Sequence, residues 1–183
     1  MKKEQLQSVD EILEERKEKL YRRREFRCFL VECVVLVALV YAAFHYIIGL
    51  AVVSGESMEP GLTDGELVLF YRLDESYQTG DLVIIHRADG VEYIKRVVAE
   101  PGDVVELSEE GALLVNGVKD ATLTAVGKTE ATSEDVTYPY TVPENSYFAL
   151  GDNRENSKDS RSFGAVTADD ITGRVFVYMG MTR

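Results

Sequence analysis

The stretch Val53-Ser54-Gly55-Glu56-Ser57-Met58-Glu59-Pro60 stands where a long apolar run ends and a polar segment begins. Its serine lies four residues beyond Val53. An extended chain covers at most about 3.3–3.6 Å per residue, so a bilayer-crossing run would leave the Ser57 hydroxyl within roughly 15 Å of the membrane surface. Working outward in both directions gives a mixed-charge head, one apolar span and a polar domain of about 130 residues, long enough to bury a core of its own.

On the N-terminal side, residues 33–53 carry no formal charge apart from one that His45 could hold. As a helix this run would be about 31 Å long, matching the hydrocarbon thickness. A removable leader has an apolar region of only about 7–15 residues, and the long charged head also argues for an anchor over residues 28–53. Residues 1–27 read as a cytoplasmic helix, with Leu6, Val9, Leu13 and Leu20 near one stripe. Arg22, Arg23, Arg24 and Arg27 flank the span and place that end in the cytoplasm and residues 54–183 outside. Glu32 sits at the cytoplasmic edge and His45 deeper, where a neutral packed or snorkelling imidazole is the expectation.

The net charge of −12 excludes most nucleic-acid binders, which need a basic face. Beyond residue 53 there are 24 acidic against 11 basic side chains, so the acidity belongs to the polar domain and serves its solubility. Both cysteines, Cys28 and Cys33, fall in or beside the span. The polar domain therefore has no disulfide framework, thiolate nucleophile or cysteine metal site.

That domain reads as mostly β. Short runs rich in β-branched and aromatic residues occur at 67–71, 82–86, 91–98, 104–107, 113–115, 147–150 and 174–178. Asp64-Gly65, Thr79-Gly80-Asp81, Asp89-Gly90 and Pro101-Gly102-Asp103 punctuate them, and Asn116-Gly117 signals a tight hairpin. Residues 119–140 read as a surface excursion or small subdomain.

A serine nucleophile needs a base. His86, the only histidine of the polar domain, ends a strand-like run and could complete a triad. A lysine could serve if burial removed its proton. Of four lysines beyond the span, Lys95 alone lies in an apolar β-like run, Tyr93-Ile94-Lys95-Arg96-Val97-Val98. Alternation puts Lys95 on one face with Tyr93 and Val97, and Arg96 on the other. An edge strand with two solvated cations fits the same pattern. A third cluster, Gly151 through Gly164, holds Asp159 and Arg161, which suit a bidentate ion pair, and Ser157 and Ser160, which suit a polar network.

Four blocks in order behind one span give the chain its resemblance: Ser54 to Pro60, Gly80-Asp81-Leu82-Val83, Tyr93 to Val97 with Pro101-Gly102-Asp103, and Gly151-Asp152-Asn153 through Gly164. The chain resembles the bacterial type I signal peptidases, membrane-bound Ser-Lys enzymes that remove signal peptides from exported preproteins, and their compact subclass in particular. The resemblance implies Ser57 as nucleophile, Lys95 as general base, Ser157 bonded to the lysine amine, and Asp159 with Arg161 holding the surroundings. It implies an extracytoplasmic, mostly β catalytic domain resting on the lipid bilayer, signal peptides as partners, no nucleic acid, and no metal or cofactor. Some members carry a serine two residues before the nucleophile that helps bind the oxyanion. Gly55 stands there, which leaves backbone N–H groups as the expected donors. The rival reading is a membrane-anchored, non-catalytic β module that binds or organises exported proteins.

Overall fold

The computed structural model describes residues 2–87 and 90–179, with side chains from residue 16 onward apart from 18 and 19. The side chains of the Leu6, Val9 and Leu13 stripe and the turn residue Asp89 lie outside what the structure describes. The chain divides into two compact units after Phe44.

The first unit holds the helix α1 (Lys2–Ala42); a π-helical turn, Ala43–Ile47, begins at its end and runs into the second unit. The stretch Leu20–Ile47 is 28 residues long and apolar enough to cross a membrane, with its side chains exposed on all sides. A helix that is apolar all round needs an apolar medium or partner to cover it.

The reading of residues 33–53 as one helix is corrected at its end. Ile48–Val52 is a strand, β1, and belongs to the β domain. An unbroken apolar run does not distinguish helix from strand by itself. Pairing decides it here: all five residues pair antiparallel with β2 (Leu67–Tyr71), from Ile48↔Tyr71 to Val52↔Leu67. Gly49 sits under the Phe70 ring, where a Cβ would collide with the ring atoms.

The remaining strands are β3 (Leu82–His86), β4 (Glu92–Ala99), β5 (Val104–Leu107), β6 (Leu113–Val115), β7 (Val118–Lys119), β8 (Tyr140–Thr141), β9 (Ser146–Leu150), β10 (Val166–Thr167) and β11 (Ile171–Met179). The mostly β reading holds. Among the described residues, one sheet has seven strands in the order β1-β2-β11-β3-β4-β9-β10, the other four in the order β7-β6-β5-β8, and neighbours run antiparallel. At the predicted hairpin, Asn116 (φ 53°) and Gly117 (φ 75°) join β6 to β7 with both central residues left-handed, as a type I′ turn requires. Of residues 119–140, Lys119 ends β7, Tyr140 begins β8 and the chain between them is irregular.

β4 is where the three apolar clusters meet. Val97 packs with Val83, Ile85 and Ala149, while Val98 and Ala99 join Phe148, Leu150 and Val105 between the sheets. Ile94 packs against Met58, Leu62 and Val68. A β bulge between Val97 and Ala99, where the register to β9 shifts, lets one strand serve more than two cores.

Candidate active site

Ser57 lies on a loop closed at its neck by two backbone bonds, Val53 N–H to Glu66 C=O (2.8 Å) and Gly65 N–H to Val53 C=O (2.9 Å). Met58 and Leu62 are buried and pin the loop to the core, and Leu62 N–H donates to Met58 C=O. Gly55 N–H donates to Asp64 Oδ1 (2.8 Å). With its neighbour anchored, the Ser57 side chain is held half-exposed at a fixed point.

Lys95 reaches it from β4. The side chain is 2 % exposed, and Nζ donates to Ser57 Oγ at 2.6 Å. Burial lowers the ammonium from 10.5 to about 8, against an upward pull from the Asp159 carboxylate; the Arg161 guanidinium pushes the same way as burial. The Tyr93 ring centroid lies 5.9 Å from Lys95 Nζ and also 5.9 Å from Lys158 Nζ. The alternation read from sequence therefore holds, and the edge-strand reading with solvated cations does not: β4 is an interior strand.

Asp159 and Arg161 are fully buried and form a bidentate pair through one guanidinium edge, Nε to Oδ1 (2.9 Å) and Nη2 to Oδ2 (2.8 Å). Asp159 also caps the short helix α2 (Ser160–Phe163) by accepting from Arg161 N–H, and its Oδ2 accepts from Gly151 N–H (3.1 Å). Ser160 Oγ accepts from Ala149 N–H (3.0 Å).

Ser157 departs from expectation. Its Oγ is buried with no protein hydrogen-bond partner, so the bond to the Lys95 amine is not made. The hydroxyl instead fills the space beside Gly151, where any Cβ would meet both Ser157 Oγ and the Ser57 carbonyl. That close approach is why residue 151 is glycine.

His86 is exposed at the end of β3, opposite Glu92, whereas Lys95 pairs with Val83. Three residues of strand separate the two pairs, about 10 Å. Strand alternation turns His86 to the other face from Lys95.

Sequence reasoning missed the partners that join the loops. Arg96 grips Asp152 with Nε (2.8 Å) and Nη2 (2.7 Å), and Asp152 is fully buried. Asn153 N–H donates to Ser57 C=O (3.1 Å), Asn153 Nδ2 to Glu56 C=O (3.3 Å) and Asn156 Nδ2 to Glu56 Oε2 (3.3 Å). The acid-and-amide richness of residues 151–156 was the available signal.

A cleft of about 590 Å³ opens over Ser57 and Lys95, lined also by Ser54, Gly55, Tyr93 and Lys158. Beside it lies a hollow of about 110 Å³ between Ala51, Val53, Met58, Ile84 and Ile94. A buried amine against a hydroxyl, next to a small hollow walled on one side by Ala51, Met58, Ile84 and Ile94, is equipped for nucleophilic attack on a carbonyl.

Residues 26–179 match the model of the family described as signal peptidase, peptidase S26. The chain belongs to that family. It is 32% identical over 172 residues to signal peptidase IB of Staphylococcus aureus (strain Mu50 / ATCC 700699), covering 84% of this chain and 88% of that protein. To signal peptidase I of Bacillus caldolyticus it is 34% identical over 178 residues, 87% of this chain and 91% of the other. A crystal structure of a signal peptidase I from Enterococcus faecalis V583 overlays with a TM-score of 0.45 at 32% identity, covering 55% of this chain and 97% of that one. As a member of peptidase S26, the chain is a serine peptidase.

Proposed function

We propose that this S26 peptidase is membrane-anchored and removes N-terminal signal peptides from exported preproteins, with Ser57 as nucleophile and Lys95 as general base. The observation that carries the reading is the 2.6 Å contact between a buried lysine amine and the Ser57 hydroxyl. Neutral Lys95 takes the Ser57 proton as Oγ attacks the scissile carbonyl. Backbone N–H groups, that of Ser57 among them, take the oxyanion charge, each commonly worth about 2.7–4 kcal/mol. The lysine ammonium returns its proton to the leaving amine, and water, activated by the same amine, releases the acyl group. Asp159 with Arg161 holds the wall behind Lys95. Ser157 is part of that wall through its contact with Gly151.

The small hollow beside Ser57 supports a substrate with a small residue before the cut. β1 is an edge strand, so an extended peptide has backbone groups to pair with. The arginines at 22–24 and 27 support a cytoplasmic N-terminus and an external β domain. Protease added to spheroplasts should digest the β domain; full protection would reverse that orientation. A non-catalytic module has no use for a buried lysine that lacks a bonded carboxylate, because such a group only costs stability.

The test is cleavage of a preprotein by the purified full-length chain in detergent, with N-terminal sequencing of the product. Alanine at the third and first positions before the cut should permit cleavage, and an aromatic at the first should block it. Ser57→Ala should abolish cleavage; a Ser57→Ala chain that cuts as fast as wild type would end the proposal.

A further inference from the structure

Residues 120–132 touch the active-site loop at many points while standing apart from the cleft. Arg154, 3 % exposed, is their main contact: Nε donates to Gly151 C=O (3.0 Å), Nη1 to Thr129 Oγ1 (3.1 Å) and Nη2 to Asp120 Oδ2 (2.9 Å). Backbone bonds add a short parallel bridge, Val126 N–H to Asp152 C=O (2.8 Å) and Arg154 N–H to Val126 C=O (2.9 Å). Lys128 N–H donates to Glu155 Oε1 (3.2 Å), Arg161 Nη1 donates to Glu130 C=O (3.3 Å), and Thr132 Oγ1 meets Ser162 Oγ at 2.9 Å. Asp120 and Thr129 line a separate hollow of about 380 Å³.

The opposite side of the same loop is the abutment of the nucleophile. Gly151 leaves no room for a side chain beside the Ser57 carbonyl, and Asn153 N–H binds that carbonyl at 3.1 Å. Arg154 holds Gly151 directly by its carbonyl. A guanidinium this deeply buried stays in one geometry only while each edge is bonded, since an unbonded buried donor carries a desolvation cost.

We propose that residues 120–132 form a strap that sets the position of Ser57, with Asp120 and Thr129 as positioning residues acting through Arg154. The strap holds one side of the loop 151–162, and the loop holds Ser57 and Glu56 with the other. Slack in the strap lets Gly151 and Asn153 retreat, and Ser57 Oγ leaves the line between Lys95 Nζ and the scissile carbonyl. The consequence falls on the chemical step, because neither Asp120 nor Thr129 lines the cleft where substrate sits.

The inference rests on the assignment of Ser57 and Lys95 above, and the test separates the two. Full-length wild type, Thr129→Val, Thr129→Ser and Asp120→Asn are assayed in detergent on one preprotein. Rates are referred to the fraction of chains labelled by a serine-directed acylating probe, so unfolded protein does not count. Thr129→Val keeps the shape and removes the hydroxyl. It and Asp120→Asn should lower kcat about ten- to a hundredfold, the scale of a small misplacement of reacting groups. KM should stay within about twofold and the acidic limb of kcat/KM should not move, because Lys95 is untouched. Thr129→Ser should restore most of the rate. Wild-type kcat per labelled site in Thr129→Val, or a Thr129→Ser chain as slow as Thr129→Val, would overturn the strap. Absence of cleavage by wild type would instead overturn the proposed function. If Asp120→Asn does not fold, the Thr129 pair decides alone.

Discussion

Lys95 and Arg96 are adjacent cations on one strand, and they face opposite fates. Arg96 turns to one side of β4 and meets a buried carboxylate, Asp152, with two bonds; its charge is matched and its pKa is raised, the bond to Asp152 being the main cause. Lys95 turns to the other side and meets a hydroxyl, and burial lowers it to about 8. Asp159 is near enough to pull Lys95 upward, but its oxygens are taken by Arg161 and by Gly151 N–H. The lesson is that burial alone does not make a base. In the proposed mechanism, Lys95 can act as a base because it is buried while Asp159 and Asp152 are already committed to Arg161 and Arg96.

The largest test of that contrast is to make the two residues alike. Lys95→Arg keeps a cation of similar reach but cannot deprotonate. Cleavage should fall by about 10²–10⁴-fold, the usual worth of a general base, with the fold retained by circular dichroism. In wild type the base works only when neutral, so kcat/KM should rise with pH through about 8. A Lys95→Arg enzyme near wild-type rate would remove the base from β4 altogether.

The second test removes each charge and reads stability in urea. Arg96→Met strands Asp152 and should cost about 3–5 kcal/mol. Lys95→Met should move the other way. The lysine is lowered from 10.5 to about 8 in the folded chain. Its burial therefore costs about 3 kcal/mol below pH 8, and the cost fades as pH rises toward 10.5, because there the folded chain holds fewer protons than the unfolded one. Less about 1 kcal/mol for the lost Ser57 bond, Lys95→Met should gain stability at pH 7 and lose that gain above pH 10. Equal destabilisation by both substitutions would erase the distinction drawn here.

The smallest effect belongs to His86, exposed and on the other face. His86→Ala should leave cleavage within about twofold and stability within about 0.5 kcal/mol. A dead His86→Ala would return the base to a histidine.

The sequence made some of this legible and hid the rest for physical reasons. Lys95 stood out because the other lysines of the polar domain stand in polar sequence with turn signals, although Lys119 proves to end β7. Asp159 and Arg161 were readable as a pair because they stand two positions apart, within local reach. Arg96 and Asp152 are 56 positions apart, and nothing local names one as the partner of the other. Asp120 and Thr129 were hidden in the same way, 34 and 25 positions from Arg154. β1 was lost because Ile48–Val52 continues an apolar run whose period is ambiguous, and only its pairing with β2 settles the matter. Ser157 was placed in the right wall and given a bond it does not make, since rotamer choice against Gly151 is not written in spacing.

The bond between Asn153 and Glu56 spans 97 positions of chain. On a ribosome this separates two events in time. Ser57, the proposed nucleophile, and Lys95 emerge first, and the residues that brace the one and occupy the carboxylate beside the other follow much later. A nascent chain that has finished β4 holds Ser57 and Lys95 but neither Asn153 nor Arg161, so it carries the reactive pair without the setting that arms it. On the proposed mechanism, hydrolytic competence therefore waits until residues 153–161 have been made and have packed against Glu56, Ser57 and Lys95.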